Sequence, residues 1–420
     1  MQEEYLHYLF KNNFLPNSFE TVNGEPLEVM ERGYHHYDAG PDFLEGKVNY
    51  DSKVWAGHIE FHVKSSDWNK HGHQSDPNYH NVIAHFVYEY DQPIFINNYE
   101  IPTIELKSYI NDDHYNHYLK FKQSKDWIPC ADQIANVDSF HIIHQKEKAL
   151  VGRLIRKAEI ILDDVNKYKG NQHKAFWIAL GKIFGGKVNA EPFAQLVDKI
   201  QPHHIAQLNY SQTEVEAYCF GLAGFLNQKN LSDNYFDSLK EQFYYQTKLF
   251  DLNPMSKNAW RFSRMRPGNF PTIRIAQFAS LLIASEFNYK KLEPQVLNSL
   301  EITPSEYWQK HYNFTKLSKN RNGDLTKSFK SLMIINAYLP FLFTQGNIVS
   351  QAELKEKALE ALLNIKPEQN TIIKAWKNLG ISVPNAFDSQ ALIEQKNEFC
   401  VKSKCLQCHI GLALLQPKKG

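Results

Sequence analysis

The chain has 420 residues, with 47 Lys+Arg against 46 Asp+Glu, 43% apolar and 22% charged residues. That composition excludes general disorder, and the length exceeds what one hydrophobic core usually organises, so two or more domains are expected. Five cysteines are too few for a disulfide framework, and the longest apolar stretch, residues 332–343, is short of a membrane span and interrupted by Asn336 and Pro340.

Residues 2–11 have helical spacing, with Tyr5, Leu6, Leu9 and Phe10 on one face. From about 25 to 110 the pattern shifts to period two. Residues 58–64 alternate strictly, with Ile59, Phe61 and Val63 on one side and His58, Glu60, His62 and Lys64 on the other. Residues 81–90 and 94–106 are strand-like, with turn signals at Asp91-Gln92-Pro93 and Asn97-Asn98. Beyond Trp127-Ile128-Pro129-Cys130 the pattern predicts helices over 138–165, 173–185, 213–227, 271–287, 328–344, 351–363 and 369–379. The fold class expected is α+β. A mixed, mostly β domain spans 1–125, a large helical domain spans 126–395, and a Cys-rich tail spans 396–420.

Charge is unevenly spread. Residues 1–125 hold 10 Lys/Arg against 19 Asp/Glu, and 11 of the 18 histidines. An acidic, His-rich front suits a metal, and a basic remainder suits an anionic polymer. The acidic start, Met-Gln-Glu-Glu, lacks the basic and apolar regions of a signal peptide, so a cytoplasmic location is expected.

Within the front, Asp38-Ala39-Gly40-Pro41-Asp42 is followed 18 residues after Asp42 by Glu60 on the alternating strand. Two carboxylates on adjacent strands can share one Mg²⁺ or Mn²⁺, which lowers the pKa of a bound water and stabilises charge on a scissile phosphate. His62 or Lys64, on the same face, would orient the attacking water. The plainer alternative is a solvated strand face beside a Pro-Asp turn. Asp67, His71, His73, Asp76 and His85 follow closely and could instead form a zinc or iron site with His62.

Pro41-Asp42 followed by Glu60-Phe61-His62 resembles the PD-(D/E)xK nuclease superfamily, with histidine in place of the usual lysine and Glu3 or Glu4 as the upstream helical acid. The resemblance implies a restriction-endonuclease-like fold and a metal-dependent phosphodiesterase acting on DNA or RNA. The departure at His62 and the number of histidines nearby leave two other readings open. One is a nucleic-acid-binding module with a degenerate nuclease fold, and the other is a His/Asp zinc or iron hydrolase of a small molecule.

Cys400-x4-Cys405-x2-Cys408, followed by His409, has the spacing of a metal clip. Its fourth ligand would be His409 or the distant Cys130, for Zn²⁺ or for an iron–sulfur cluster. A third constellation, residues 260–274, sets Arg261, Arg264, Arg266 and Arg274 around Pro267-Gly268 at the start of a helix, a cradle for phosphate, with Trp260 and Phe270 placed to stack on bases. Arg153 and Arg156 could extend it. Taken together, residues 38–43, 55–73, 128–130 and 264–277 and the cysteine tail resemble an uncharacterised bacterial family, domain of unknown function 2851. That resemblance implies no particular reaction.

Overall fold

The computed structural model describes residues 1–36, 39–228, 231, 233–318 and 323–416; Asp38 lies outside them. The chain folds as two units, Met1–Gln145 with Gln395–Gly420, and Lys146–Glu394. The first unit thus extends past residue 125 and takes in the cysteine tail.

Helix α1 (Glu3–Lys11) opens the first unit, with Glu3 and Glu4 in its first turn and Lys11 in its last, both favourable to the helix dipole. Tyr5, Leu6, Leu9 and Phe10 are buried as their spacing predicts. Phe10 meets Phe43 and Phe61 with ring centroids 5.0 Å from each. A large side chain such as Phe61, fully buried, contributes about 1.5–3 kcal/mol.

The sheet is mixed, in the order β1 (Ser18–Glu20), β2 (Pro26–Glu31), β4 (Phe43–Tyr50), β5 (Lys53–Lys64), β6 (Val82–Glu89), β9 (Thr103–Glu105), with β3 (Tyr34–His35) also on β4. Strands β2, β4 and β5 pair antiparallel, while β5–β6 and β6–β9 pair parallel. A parallel pair needs a crossover. Between β5 and β6 that crossover carries α2 (Asp67–His71), and His62 lies within ring-contact distance of Trp68, His71 and His73 on it.

This crossover covers part of the polar face of β5, so the plainer alternative of a solvated face fails at Glu60 and His62, while Lys64 stays exposed. Glu60 and His62 are only 4% and 1% exposed. The strand predicted over 94–106 resolves into β7 (Phe95–Ile96), β8 (Tyr99–Glu100) and β9. Asn97 and Asn98, both at positive φ, close the β7–β8 hairpin as the turn signal implied. Helix α3 (Asp112–Gln123) escaped the period-based reading. Its N-cap, Asn111, accepts the backbone N–H groups of Asp113 and His114.

The second unit is helical, taking in α4 (Ser139–Lys167) from Lys146 onward, then α5 (Gln172–Lys199), α6 (Pro202–Gln207), α7 (Gln212–Leu222), α8 (Asn234–Phe250) and α9 (Pro271–Ala284). The helix predicted to stop at 185 resumes after a kink. Gly186, at φ 58 and ψ −155, takes a conformation open to glycine, and the chain then returns to helix through Lys199. The helix predicted over 328–344 runs from Lys327–Met333 through a π turn, Ile334–Tyr338, into Leu339–Ile348. Its wide turn lies just before Pro340, which has no N–H for the helical ladder.

Candidate metal centre

Antiparallel pairing of β4 with β5 matches Phe43 with Ile59. One step further, Asp42 falls opposite Glu60. The Asp42 backbone N–H donates to Glu60 Oε2 at 3.0 Å, and the Phe61 N–H donates to Asp42 Oδ2 at 2.9 Å. Each carboxylate is therefore fixed by the other's strand. Burial, and then the neighbouring Asp42, push the Glu60 carboxyl up to about 10, so without a cation it keeps its proton at neutral pH.

Helix α1 adds Glu3 and His7, four residues apart and so on one face. His7 Nε2 lies 3.2 Å from Asp42 Oδ2. Burial and Asp42 raise the Glu3 carboxyl to about 7. Glu3, His7 and Asp42 each offer a donor atom within 4.8 Å of the other two. Of the two acids proposed for this role, Glu4 turns away: its Oε1 accepts from Tyr118 and Lys122, each at 2.6 Å. His7 was missed from sequence, although its i,i+4 spacing from Glu3 was available as a signal.

On the other side of Glu60 stand the histidines. His62 Nε2 is 3.8 Å and His73 Nε2 3.6 Å from Glu60 Oε1. His62 Nε2 is also 3.2 Å from His71 Nδ1. His62, His71 and His73 form a second group whose donor atoms all lie within 4.8 Å of one another. Gly72 makes this possible: at φ 80 it ends α2 and turns the chain between the two crossover histidines. Burial and then the neighbouring rings, His85 first, hold His62 neutral, down to about 2. His71 is exposed, so the group has one edge in solvent.

Glu60 thus lies between an acidic group, Glu3/His7/Asp42, and an imidazole group, His62/His71/His73. Mixed oxygen and nitrogen donors suit Mn²⁺, Zn²⁺ or Fe²⁺ better than Mg²⁺, which favours oxygen ligands and water.

The remaining predicted residues have other work. Lys64 directs its ammonium to Glu89 on β6, 3.5 Å away. Asp67 accepts the Lys64 backbone N–H and the Lys70 ammonium, and Asp76 caps the short turn Pro77–Tyr79. His85, fully buried, touches His62 rather than any carboxylate.

In the second unit Arg261, Arg264 and Arg266 are exposed. Arg274 is not free: its guanidinium donates to Gln277 and Asn269 and lies 3.8 Å over the Phe329 ring. Trp260 is buried, with its indole N–H on the Ala223 carbonyl, so it belongs to the core and not to a base-stacking surface. Arg153 and Arg156 converge on Glu394. In the first unit Cys130, Cys400, Cys405 and Cys408 line one cavity, and His409 is not among its lining residues.

Among the described residues no helix is long and apolar enough to cross a membrane. No curated protein and no solved structure matches the chain. Residues 3–371 match a family model, a span that includes the carboxylates, the histidines and the arginine loop but ends before the cysteine tail; the chain therefore belongs to the family described as "Protein of unknown function (DUF2851)".

Proposed function

We propose that the protein is a divalent-metal-dependent phosphodiesterase acting on DNA or RNA. The observation that carries this reading is the reciprocal bonding of Asp42 and Glu60, which fixes two carboxylates side by side next to Glu3 and His7. Asp42, Glu60 and Glu3 would bind the cation, with His7 as a nitrogen ligand. A bound cation supplies an acidified water and charge stabilisation on the phosphate. Glu60 gives up its proton as the cation binds, since ligands must be deprotonated. Helix, Pro41-Asp42 turn and Glu60 strand, in that order, also support the likeness to PD-(D/E)xK nucleases.

The histidine group favours a second reading. His62 is held neutral far below the range of a useful general base, which fits a metal ligand better than a proton acceptor. His62, His71 and His73 would then hold zinc or iron for hydrolysis of a small molecule, with Glu60 shared.

Labelled single- and double-stranded DNA and RNA, incubated with Mg²⁺ or Mn²⁺, test the first reading. Cutting is expected with Mn²⁺ and is expected to vanish in Asp42→Asn and Glu60→Gln. Cutting that persists in both variants rules the assignment out. Salt-sensitive binding without cutting points to a degenerate, non-catalytic module, because phosphate contacts release counterions.

A further inference from the structure

Four thiols separated by up to 278 positions of sequence meet in the first unit. Cys130 follows Pro129, Cys400 ends the π turn Gln395–Cys400, Cys405 opens the short turn Cys405–Gln407, and Cys408 precedes the helix His409–Leu414. All four line a single cavity. We propose that this cavity holds an iron–sulfur cluster ligated by Cys130, Cys400, Cys405 and Cys408, which fastens the C-terminal segment to the chain around Cys130.

The surroundings are built for thiolates. Gln395, 4% exposed, directs its amide nitrogen at Cys408 Sγ (3.3 Å) and Cys400 Sγ (3.5 Å). The orientation of that amide is fixed from behind. Its Oε1 accepts from Gln145 Nε2 at 2.6 Å, and Gln145 Oε1 accepts the His409 backbone N–H at 2.8 Å. Gln395 thus presents its N–H donors to sulfur, and Gln145 holds that amide in place. Such donors stabilise a charged, metal-bound thiolate more than a neutral thiol.

Without a metal the site is a concentration of protonated thiols. Burial, then the neighbouring cysteines, push Cys130 and Cys405 up to about 12 and raise Cys400 further. Assembly would release four thiol protons and form four bonds from cysteine sulfur to iron. Ferrous and ferric iron and inorganic sulfide come from outside the chain in the oxidation states the cluster contains, so no residue is oxidised.

Spacing favours a cluster over a single zinc. Tetrahedral Zn²⁺ with Zn–S of about 2.3 Å draws its sulfurs to roughly 3.8 Å from one another. Among the described residues, the donor groups that close within 4.8 Å in threes are His62/His71/His73 and Glu3/His7/Asp42, and the thiols are not among them. A cluster interposes irons and bridging sulfides and so suits more widely set thiolates. The Cys-x4-Cys-x2-Cys run with one remote cysteine also occurs in iron–sulfur ligation. Phe121 and Phe399 line the same cavity and add an apolar wall.

The inference does not rest on the phosphodiesterase reading, since it uses none of the carboxylates. Full-length protein purified without oxygen is assayed for iron, zinc and acid-labile sulfide. The expected result is brown protein with iron and sulfide in equal amounts, about two to four of each per chain. One zinc per chain without sulfide overturns the proposal, as does absence of metal after reconstitution with ferric and ferrous iron and sulfide. Cys130→Ser is expected to lose most of the iron, whereas Cys219→Ser, in the core of the second unit, keeps it. Full iron in Cys130→Ser overturns the ligand assignment. If that variant does not fold, the iron-to-sulfide ratio of the native protein decides alone.

Discussion

His62 Nδ1 lies 2.8 Å from His85 Nε2, and both rings are buried. One of the two nitrogens must donate. For His62 to offer its Nε2 lone pair to a cation beside Glu60, its proton must sit on Nδ1 and point at His85. His85 is thus a positioning residue behind the site. It fixes the His62 tautomer, as partners of metal-bound histidines commonly do.

His85→Leu, which removes the acceptor, is expected to weaken Mn²⁺ or Zn²⁺ binding by about 10–100-fold. His85→Gln, which retains an acceptor oxygen, should recover much of the loss. Titration calorimetry on the two variants measures this, and equal affinity for His85→Leu and the native chain would remove His85 from the site.

Stability of the metal-free protein should depend on pH in two opposed ways. The Glu60 carboxyl is raised from 4.5 to about 10 by burial and Asp42. A raised folded value means its contribution is complete below the unfolded pKa and is lost as pH climbs toward about 10. His62 is lowered from 6.5 to about 2 by burial and the neighbouring rings. Its contribution is complete above 6.5 and is lost as pH falls below that value. A divalent cation bound as proposed would take the place of the Glu60 proton and cancel the alkaline loss. Melting curves with and without Mn²⁺ should therefore separate more at about pH 8 than at about pH 6, where protons compete more strongly for the Glu60 carboxylate. A shift that is larger at the lower pH would contradict the assignment of Glu60 as a ligand.

The arginines of the second unit should divide by role. Arg264 is exposed, whereas Arg274 bonds Gln277 and Asn269 and covers Phe329. Arg264→Ala is expected to leave thermal stability unchanged and, if the loop binds nucleic acid, to reduce the salt slope of binding by about one. Arg274→Ala should instead destabilise the fold by about 1–2 kcal/mol, through the lost stacking and hydrogen bonds. Denaturant melts and salt-dependent binding isotherms separate the two effects.

Much of this architecture could be read from pattern alone. The buried face of α1, the β5 strand over residues 58–64 and the Asn97-Asn98 turn are short-range signals, and each appears where the sequence places it. Burial of Glu60 and His62 on β5 was not legible. It depends on the crossover packing back over the sheet, a tertiary event that leaves polar spacing unchanged. His7 was obscured for a related reason: its partner Asp42 is 35 positions away in sequence, and only the docking of α1 against β5 brings them together. The cysteine set was legible as spacing, because C-x4-C-x2-C is local. The Gln145–Gln395 relay behind it joins residues 250 positions apart and carries no local pattern.

Gly72 offers the most local test of the histidine group. Its φ of 80 lies in the left-handed region, and a Cβ there would meet nothing within 4 Å. Any cost of Gly72→Ala therefore comes from the backbone and not from collision, about 1 kcal/mol in urea unfolding. If the backbone relaxes instead, His71 and His73 are re-aimed, and cation affinity falls by more than the stability change accounts for. Gly72→Asn should restore most of both, since asparagine tolerates this conformation. An alanine variant as stable as the native chain and with undiminished Mn²⁺ affinity would mean that this turn does not set the geometry of His71 and His73.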